Sequence, residues 1–92
     1  MNIYAVNRTC PHDYDEFDSF VVVCGTELEA RHTHPRGWAV WSPEKGAWID
    51  REGDVDEYHG WVADVENLMV VHIGVALPNA EPGIVVASFN AG

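Results

Sequence analysis

Cysteine and histidine residues stand in three places where their chemistry would suit a metal ion. The thiol and imidazole groups that zinc prefers belong to Cys10 and His12, to Cys24, and to His32 and His34. Their spacing matches no zinc ribbon or finger, and Cys24 lies in an apolar run that predicts a buried free thiol. His32 and His34 would point to different sides of a short helix, so we interpret them as surface residues at its end. We expect no metal and no other cofactor, with a small metal-binding protein as an alternative.

Carboxylates are concentrated in two stretches, residues 13–18 and 50–57. Both stretches have the composition of a calcium loop but lack the central glycine and the closing glutamate at the required spacing. We therefore predict two acidic, solvated loops. Their carboxylates are Asp13, Asp15, Glu16 and Asp18 in the first, and Glu52, Asp54, Asp56 and Glu57 in the second.

Nucleophiles with a neighbouring acid or base are few. Ser19 follows Asp18, and Cys10 lies near His12, but sequence neighbours are not the spatially assembled pairs that nucleophilic catalysis needs. The glycine patterns of phosphate-binding and dinucleotide-binding loops are absent from the sequence. The sequence therefore predicts a protein that is not an enzyme.

The charge balance limits the classes of partner. Fifteen acidic and five basic residues give a net charge of −10, which repels nucleic-acid phosphates and anionic lipids. Arg51 is the last Lys or Arg, so the second half carries an acidic face. Trp61 follows the second acidic stretch, and we expect it to be exposed among carboxylates, as in a protein-binding hot spot.

Length and hydropathy predict one domain, residues 1–92, without a membrane span. The hydrophobic fraction of 47% is well above that of disordered chains. The first residues lack a basic segment followed by a long apolar run, and no stretch approaches the roughly 18 apolar residues of a spanning helix. We expect an intracellular, cytoplasmic protein.

The hydrophobic pattern predicts strands at both ends of the chain and one short helix. Thr26 and Glu29 match a capping box, and Pro35 limits the helix to about residues 27–33. Residues 50–66 are predicted to form an irregular loop, with a helical turn around Asp64. The predicted strands are residues 2–7, 20–24, the two arms of a tryptophan-rich hairpin at 37–41 and 47–50, 68–75 and 84–89.

The two late strands are expected to pair with each other, and Val22 and Val86 are expected in the core. The 20–24 strand is expected to be central in the sheet. The predicted fold is α+β, a mainly antiparallel sheet of four to five strands with one short helix packed on a face.

Several stretches of the sequence resemble small phage and prophage proteins of uncharacterised function. The resemblance lies in Asp-Tyr-Asp-Glu-Phe-Asp-Ser-Phe-Val-Val-Val from Asp13, in Glu29-Ala30-Arg31 and His34-Pro35, and in residues 81–92. These motifs carry no known catalytic role, so no residue role is transferred. The resemblance implies a setting in which small acidic proteins block host nucleases, CRISPR effectors or other DNA-binding machines.

Together these observations predict an acidic, protein-binding inhibitor that competes with nucleic acid for a basic host partner in the host cytoplasm. An anti-CRISPR protein is one such inhibitor, and its partner would be a nucleic-acid-binding effector complex. The predicted binding residues are the eight carboxylates above and Trp61. The alternative is an accessory phage domain that forms a homodimer through a sheet edge or through its tryptophans.

Overall fold

The structure is a computed structural model that describes residues 1–9, 16–37, 39–55 and 60–90. Within these ranges the fold is α+β and mainly antiparallel, which confirms the predicted class. The elements in chain order are β1 (Asn2–Asn7), β2 (Glu16–Cys24), α1 (Glu27–Arg31), β3 (Val40–Ser42), β4 (Ala47–Ile49), a 3-10 helix (Val65–Asn67), β5 (Met69–Val75) and β6 (Gly83–Asn90).

The main sheet has four antiparallel strands in the order β5-β1-β2-β6. The prediction that the two late strands pair with each other is wrong, because they lie at opposite edges of the sheet. The β1–β2 hairpin has two free edges, and each late strand adds to one of them. The connection 76–82 therefore runs from one edge to the other. The central position predicted for β2 is confirmed.

Strand β2 begins at Glu16, four residues earlier than predicted. The predicted first acidic loop therefore ends before Glu16, and Glu16 and Asp18 belong to a strand. A bulge lies between Phe17 and Ser19, so that Phe17 packs against the core although its neighbours are polar. Because the bulge interrupts the alternation of polar and apolar residues, the sequence pattern does not indicate that β2 begins at Glu16.

Helix α1 is short and strongly capped. The Thr26 hydroxyl accepts a hydrogen bond from the Glu29 N–H at 3.1 Å, and the Glu29 carboxylate accepts one from the Gly25 N–H at 3.1 Å. This arrangement confirms the predicted N-terminal cap. The helix ends at Arg31 with His32 as the C-terminal cap, two residues before the predicted end.

The predicted hairpin is present as β3 and β4, a small second sheet. Trp41 and Trp48 are directly opposite each other, with ring centroids 5.2 Å apart in an edge-to-face contact. Trp48 is fully buried, and its indole N–H donates to the Val62 carbonyl at 2.7 Å. Trp38, the third tryptophan of the predicted hairpin, lies outside the described residues.

The core lies on one face of the main sheet. Side chains from β1 and β2 face α1, the hairpin and the 60–68 segment, and they include Tyr4, Val6, Phe20 and Val22. The burial of Val22 is therefore confirmed, whereas Val86 is 58% exposed and the prediction that it lies in the core is wrong. Within the described residues, no helix is long and apolar enough to cross a membrane.

Candidate protein-binding surfaces

The described part of the second acidic stretch is a closed turn, residues 50–54, rather than an irregular loop. The Asp50 carboxylate accepts hydrogen bonds from the N–H groups of Glu52 (2.9 Å) and Asp54 (3.0 Å). The Asp50 N–H donates to the Asp54 carbonyl at 2.8 Å, and Gly53 adopts a φ of +87°, which glycine accepts without strain. Glu52 and Asp54 are exposed on this turn.

The predicted irregular loop also contains the 3-10 helix after Asp64, which confirms the predicted helical turn. Arg31 of α1 holds this segment. Its guanidinium donates to the carbonyls of Val65, Glu66 and Leu68 at 2.8 to 3.0 Å, and it pairs with Glu27 at 2.8 Å. One basic side chain thus connects α1 to the 3-10 helix and the residue that follows it.

The described carboxylates of the first acidic stretch contact the protein itself. Glu16 forms an ion pair with Arg8 at 3.5 Å, and Asp18 accepts a hydrogen bond from the Ser19 hydroxyl at 2.9 Å. Both residues are half-buried, so they are less available to a partner than Glu52 and Asp54. Asp13 and Asp15 lie outside the described residues, as do Asp56 and Glu57 of the second stretch.

A backbone contact relates the two acidic stretches in space. The Phe17 N–H donates to the Gly60 carbonyl at 2.8 Å. Gly60 follows Asp54 by six positions, which limits the separation of their Cα atoms to about 20 Å. The start of β2 therefore contacts the chain segment that follows the second acidic stretch.

The expectation that Trp61 is exposed is wrong. Its side chain is only 4% exposed and packs edge-to-face on Phe20, with ring centroids 5.4 Å apart. Sequence neighbours that are polar say little about a side chain whose partner lies 41 positions earlier in the chain. Trp61 stabilises the core and is not a surface hot spot.

The histidines and Cys24 have structural surroundings. His34 is fully buried against Trp48, with ring centroids 5.0 Å apart, and its Nδ1 accepts a hydrogen bond from the Arg36 N–H at 3.1 Å. The expectation that His34 is a surface residue is therefore wrong. Its ring packs on Trp48, and the Arg36 N–H supplies a hydrogen bond to its buried Nδ1. In the part of the chain that the structure describes, no three His, Cys, Asp or Glu residues are grouped as metal ligands. Cys10 and His12 lie outside that part.

Cys24 is a buried free thiol, as predicted. Burial raises the pKa of the Cys24 thiol, a backbone hydrogen bond at Thr26 lowers that pKa in part, and the Glu29 carboxylate raises it. At neutral pH the thiol therefore keeps its proton and is a weak nucleophile.

A groove of about 570 Å³ runs beside Cys24 between α1 and the start of β6. Two of its polar residues are occupied by local structure: Glu29 accepts from the Gly25 N–H, and the Thr33 hydroxyl donates to the Glu29 carbonyl at 2.6 Å. The guanidinium of the third, Arg36, lies 6.0 Å from the centre of the Phe17 ring. These contacts are structural ones, and they favour no reaction.

The second face of the main sheet is the most distinctive surface of the molecule. The strand register places three rows of side chains on this face, each row crossing all four strands. They are Gly74, Ile3, Val23 and Gly83 in the first row, Val71, Ala5, Val21 and Val86 in the second, and Met69, Asn7, Ser19 and Ser88 in the third.

The first two rows of this face are apolar, the third row adds Met69 to uncharged polar residues, and none of the residues in the three rows is charged. We call these rows the open face. Val71 is 43% exposed and Met69 56%, in addition to Val86. Val23 is buried at the end of the sheet that the 76–82 connection must cross. The second and third rows therefore form the accessible part of the open face.

The open face could have been predicted from the number of elements in the sequence, although not from hydrophobic periodicity alone. Apolar runs in β5 and β6 are typical of strands covered on both faces. The five-residue helix and the small hairpin lie on one face of the sheet, and the described chain offers no second layer. Counting the elements available to cover each face would have predicted that one face stays exposed.

Comparisons with known protein families, with curated proteins and with solved structures find no significant match to this chain.

Proposed function

We propose that this protein is a non-enzymatic binding domain that presents carboxylates to a basic protein partner and competes there with nucleic acid. The observation that carries the proposal is the 50–54 turn. Its own hydrogen bonds fix the backbone, and they use the Asp50 carboxylate while Glu52 and Asp54 remain exposed. A turn that is ordered before binding loses little conformational entropy when a partner docks.

Charge supports the same proposal. The turn itself carries Arg51 beside three carboxylates and so keeps a net negative charge. Beyond Arg51 the sequence has no Lys or Arg, so the remaining 41 residues add no fixed positive charge to the turn. Such a surface steers a basic protein towards it and repels nucleic acid itself. A nucleic-acid-binding effector complex, the partner class implied by the phage resemblance, has the required basic channel.

The test is a capture experiment with paired variants. Tagged wild-type protein, a Glu52→Gln/Asp54→Asn variant and a Glu44→Gln/Glu81→Gln variant are each incubated with lysate of cells that encode the protein. Both variants remove two exposed carboxylates, but only the first changes the turn. We expect the basic partner to be captured at least fivefold less by the turn variant and equally by the control.

Inhibition is then measured directly. The captured complex is purified and its binding to nucleic acid is titrated with wild-type protein at low and at high salt. We expect displacement of nucleic acid that weakens steeply with salt, because screening shortens the range of the attraction to about 8 Å at physiological ionic strength. Capture without displacement, or equal capture by both variants, would contradict the proposal.

A further inference from the structure

The open face lacks a covering layer among the described residues, although a sheet face of this kind is normally buried. Antiparallel sheets that face water usually carry polar side chains on the wet side. Here the second row consists of three valines and an alanine, and the third row adds Met69 to uncharged polar residues. Large exposed apolar patches on small proteins mark interaction sites.

We propose that the open face binds the open face of a second copy of this chain, forming a two-fold symmetric β-sandwich. This inference goes beyond the binding of a basic partner and does not depend on it.

Charge selects a second copy as the occupant. Two chains of charge −10 repel each other, and contact through the 50–54 turn or α1 would bring carboxylates together. The open face contains no carboxylate in its three rows, and the Asp18 carboxylate, which accepts from the Ser19 hydroxyl, lies beside the third row. The valine row is therefore the surface on which two copies can meet without a like-charge contact. A basic partner, in contrast, finds no complementary charge there.

The strand register makes the face complementary to itself. A two-fold axis that runs between the sheets, parallel to the strands, sets each row of one copy against the same row of the other. The valine row then packs on a valine row, and the row of Asn7, Ser19 and Ser88 meets its own polar groups. Aligned sheets at a spacing of about 10 Å pack in this way in β-sandwiches.

The accessible area of the face limits the strength of the dimer. Four strands about 4.8 Å apart and two accessible rows, each spanning about 6.8 Å along the strands, give a face on the order of 260 Å². Two such faces, with their protruding side chains, bury roughly 500 to 700 Å², which is the size of a weak, transient interface. We therefore expect a reversible dimer with a dissociation constant between about 10 μM and about 1 mM.

The primary test is sedimentation of the full chain across that range of concentration. We expect the weight-average mass of the wild type to rise from 10.2 kDa towards twice that value. Val86→Asp places a charge in the valine row and should keep the protein at the monomer mass. Leu28→Asp makes the same change on the exposed surface of α1, away from the open face, and should dimerise like the wild type.

Two further measurements keep the result interpretable if Val86→Asp folds poorly. The Val71→Thr/Val86→Thr variant preserves side-chain shape and strand propensity while adding hydroxyls, and we expect it to weaken the dimer at least fivefold. Concentration-dependent amide shifts of the wild type should map to Ala5, Val21 and Val86 and should spare α1.

A wild type that stays monomeric at about 1 mM would overturn the inference. So would a dimer that survives both variants of the valine row, or shifts that map to a sheet edge or to Trp41. Loss of a captured protein by Val86→Asp without any self-association would assign the face to a different protein and would also overturn it. Failure of the 50–54 turn variants to change capture leaves these measurements unaffected, so the two proposals fail separately.

Discussion

Arg31 shows how one side chain can organise a domain that is otherwise rich in repulsive charge. It donates to three carbonyls at the end of the 3-10 helix and to Glu27. The last carbonyls of a helix lack partners within it, and a guanidinium with five donors is suited to several of them at once. The Val65 carbonyl also accepts from the Leu68 N–H at 3.4 Å. Arg31 therefore fixes the segment that carries Trp61 and Val65 into the core.

Replacing Arg31 by Ala should lower the free energy of unfolding by about 2–3 kcal/mol, because charge-assisted hydrogen bonds to three carbonyls are lost. Glu27→Gln removes only the exposed ion pair and should change stability by less than about 0.5 kcal/mol. Urea denaturation of both variants measures the difference. Equal losses would mean that the ion pair, and not the carbonyl contacts, is the contribution of Arg31.

Cys24 predicts a loss of stability in alkaline solution. Burial raises the pKa of its thiol, so the folded state favours the protonated form. This contribution is complete below the thiol pKa of the unfolded chain, roughly 8.5, and is lost as pH rises towards and through the higher folded value. We expect the stability difference between wild type and Cys24→Ala to shrink as pH rises above about 8.5. A constant difference in thermal midpoints would contradict this assignment.

Trp61 and Val86 show what residue-level reading of the sequence misses. Polar neighbours suggested that Trp61 is exposed, and apolar neighbours suggested that Val86 is buried, yet the reverse holds for both. Burial depends on contacts with distant parts of the chain, such as Phe20 for Trp61. Residues whose surroundings are local, such as Thr26 and Cys24, could be predicted correctly.

At the level of elements, the sequence indicates which segments form strands but not which strands are neighbours. Periodicity located β1, β5 and β6 within about two residues, because alternation and β-branched content are local properties. Pairing depends on which edges are free once the β1–β2 hairpin exists, and no local pattern records that. The candidate surfaces follow the same division: the exposed Glu52 and Asp54 were predicted, and the open face was not.

The cap of α1 offers a prediction at this scale. A five-residue helix has little intrinsic stability, so it depends on its ends and on packing. Thr26→Ala removes the acceptor of the Glu29 N–H and should lower the free energy of unfolding by about 1 kcal/mol, whereas Thr26→Ser should change it by less than half as much. Thermal unfolding compares them, and an equal loss for both would show that the Thr26 methyl group matters more than its hydroxyl.

For the whole molecule, the separation of charge from the open face predicts opposite effects of salt. Thermal stability should rise by a few degrees as NaCl increases, because screening reduces self-repulsion of a chain of charge −10. The Glu44→Gln/Glu81→Gln variant has a charge of −8, two units less, and should show a smaller rise. Self-association should strengthen with salt, while binding to a basic partner weakens. A common direction for both kinds of binding would contradict the division of surfaces.

The sheet order also constrains how the chain folds. β5 hydrogen bonds to β1 and β6 to β2, so both late strands add to the edges of a β1–β2 hairpin whose own contacts are closer in sequence and cost less loop entropy to form. We therefore predict a folding nucleus built around Val6 and Phe20, with the outer strands adding after the transition state. In a chevron analysis, Val6→Ala should slow folding, and Ile84→Val should mainly speed unfolding. The nucleus would then form before the last quarter of the chain contributes any contact.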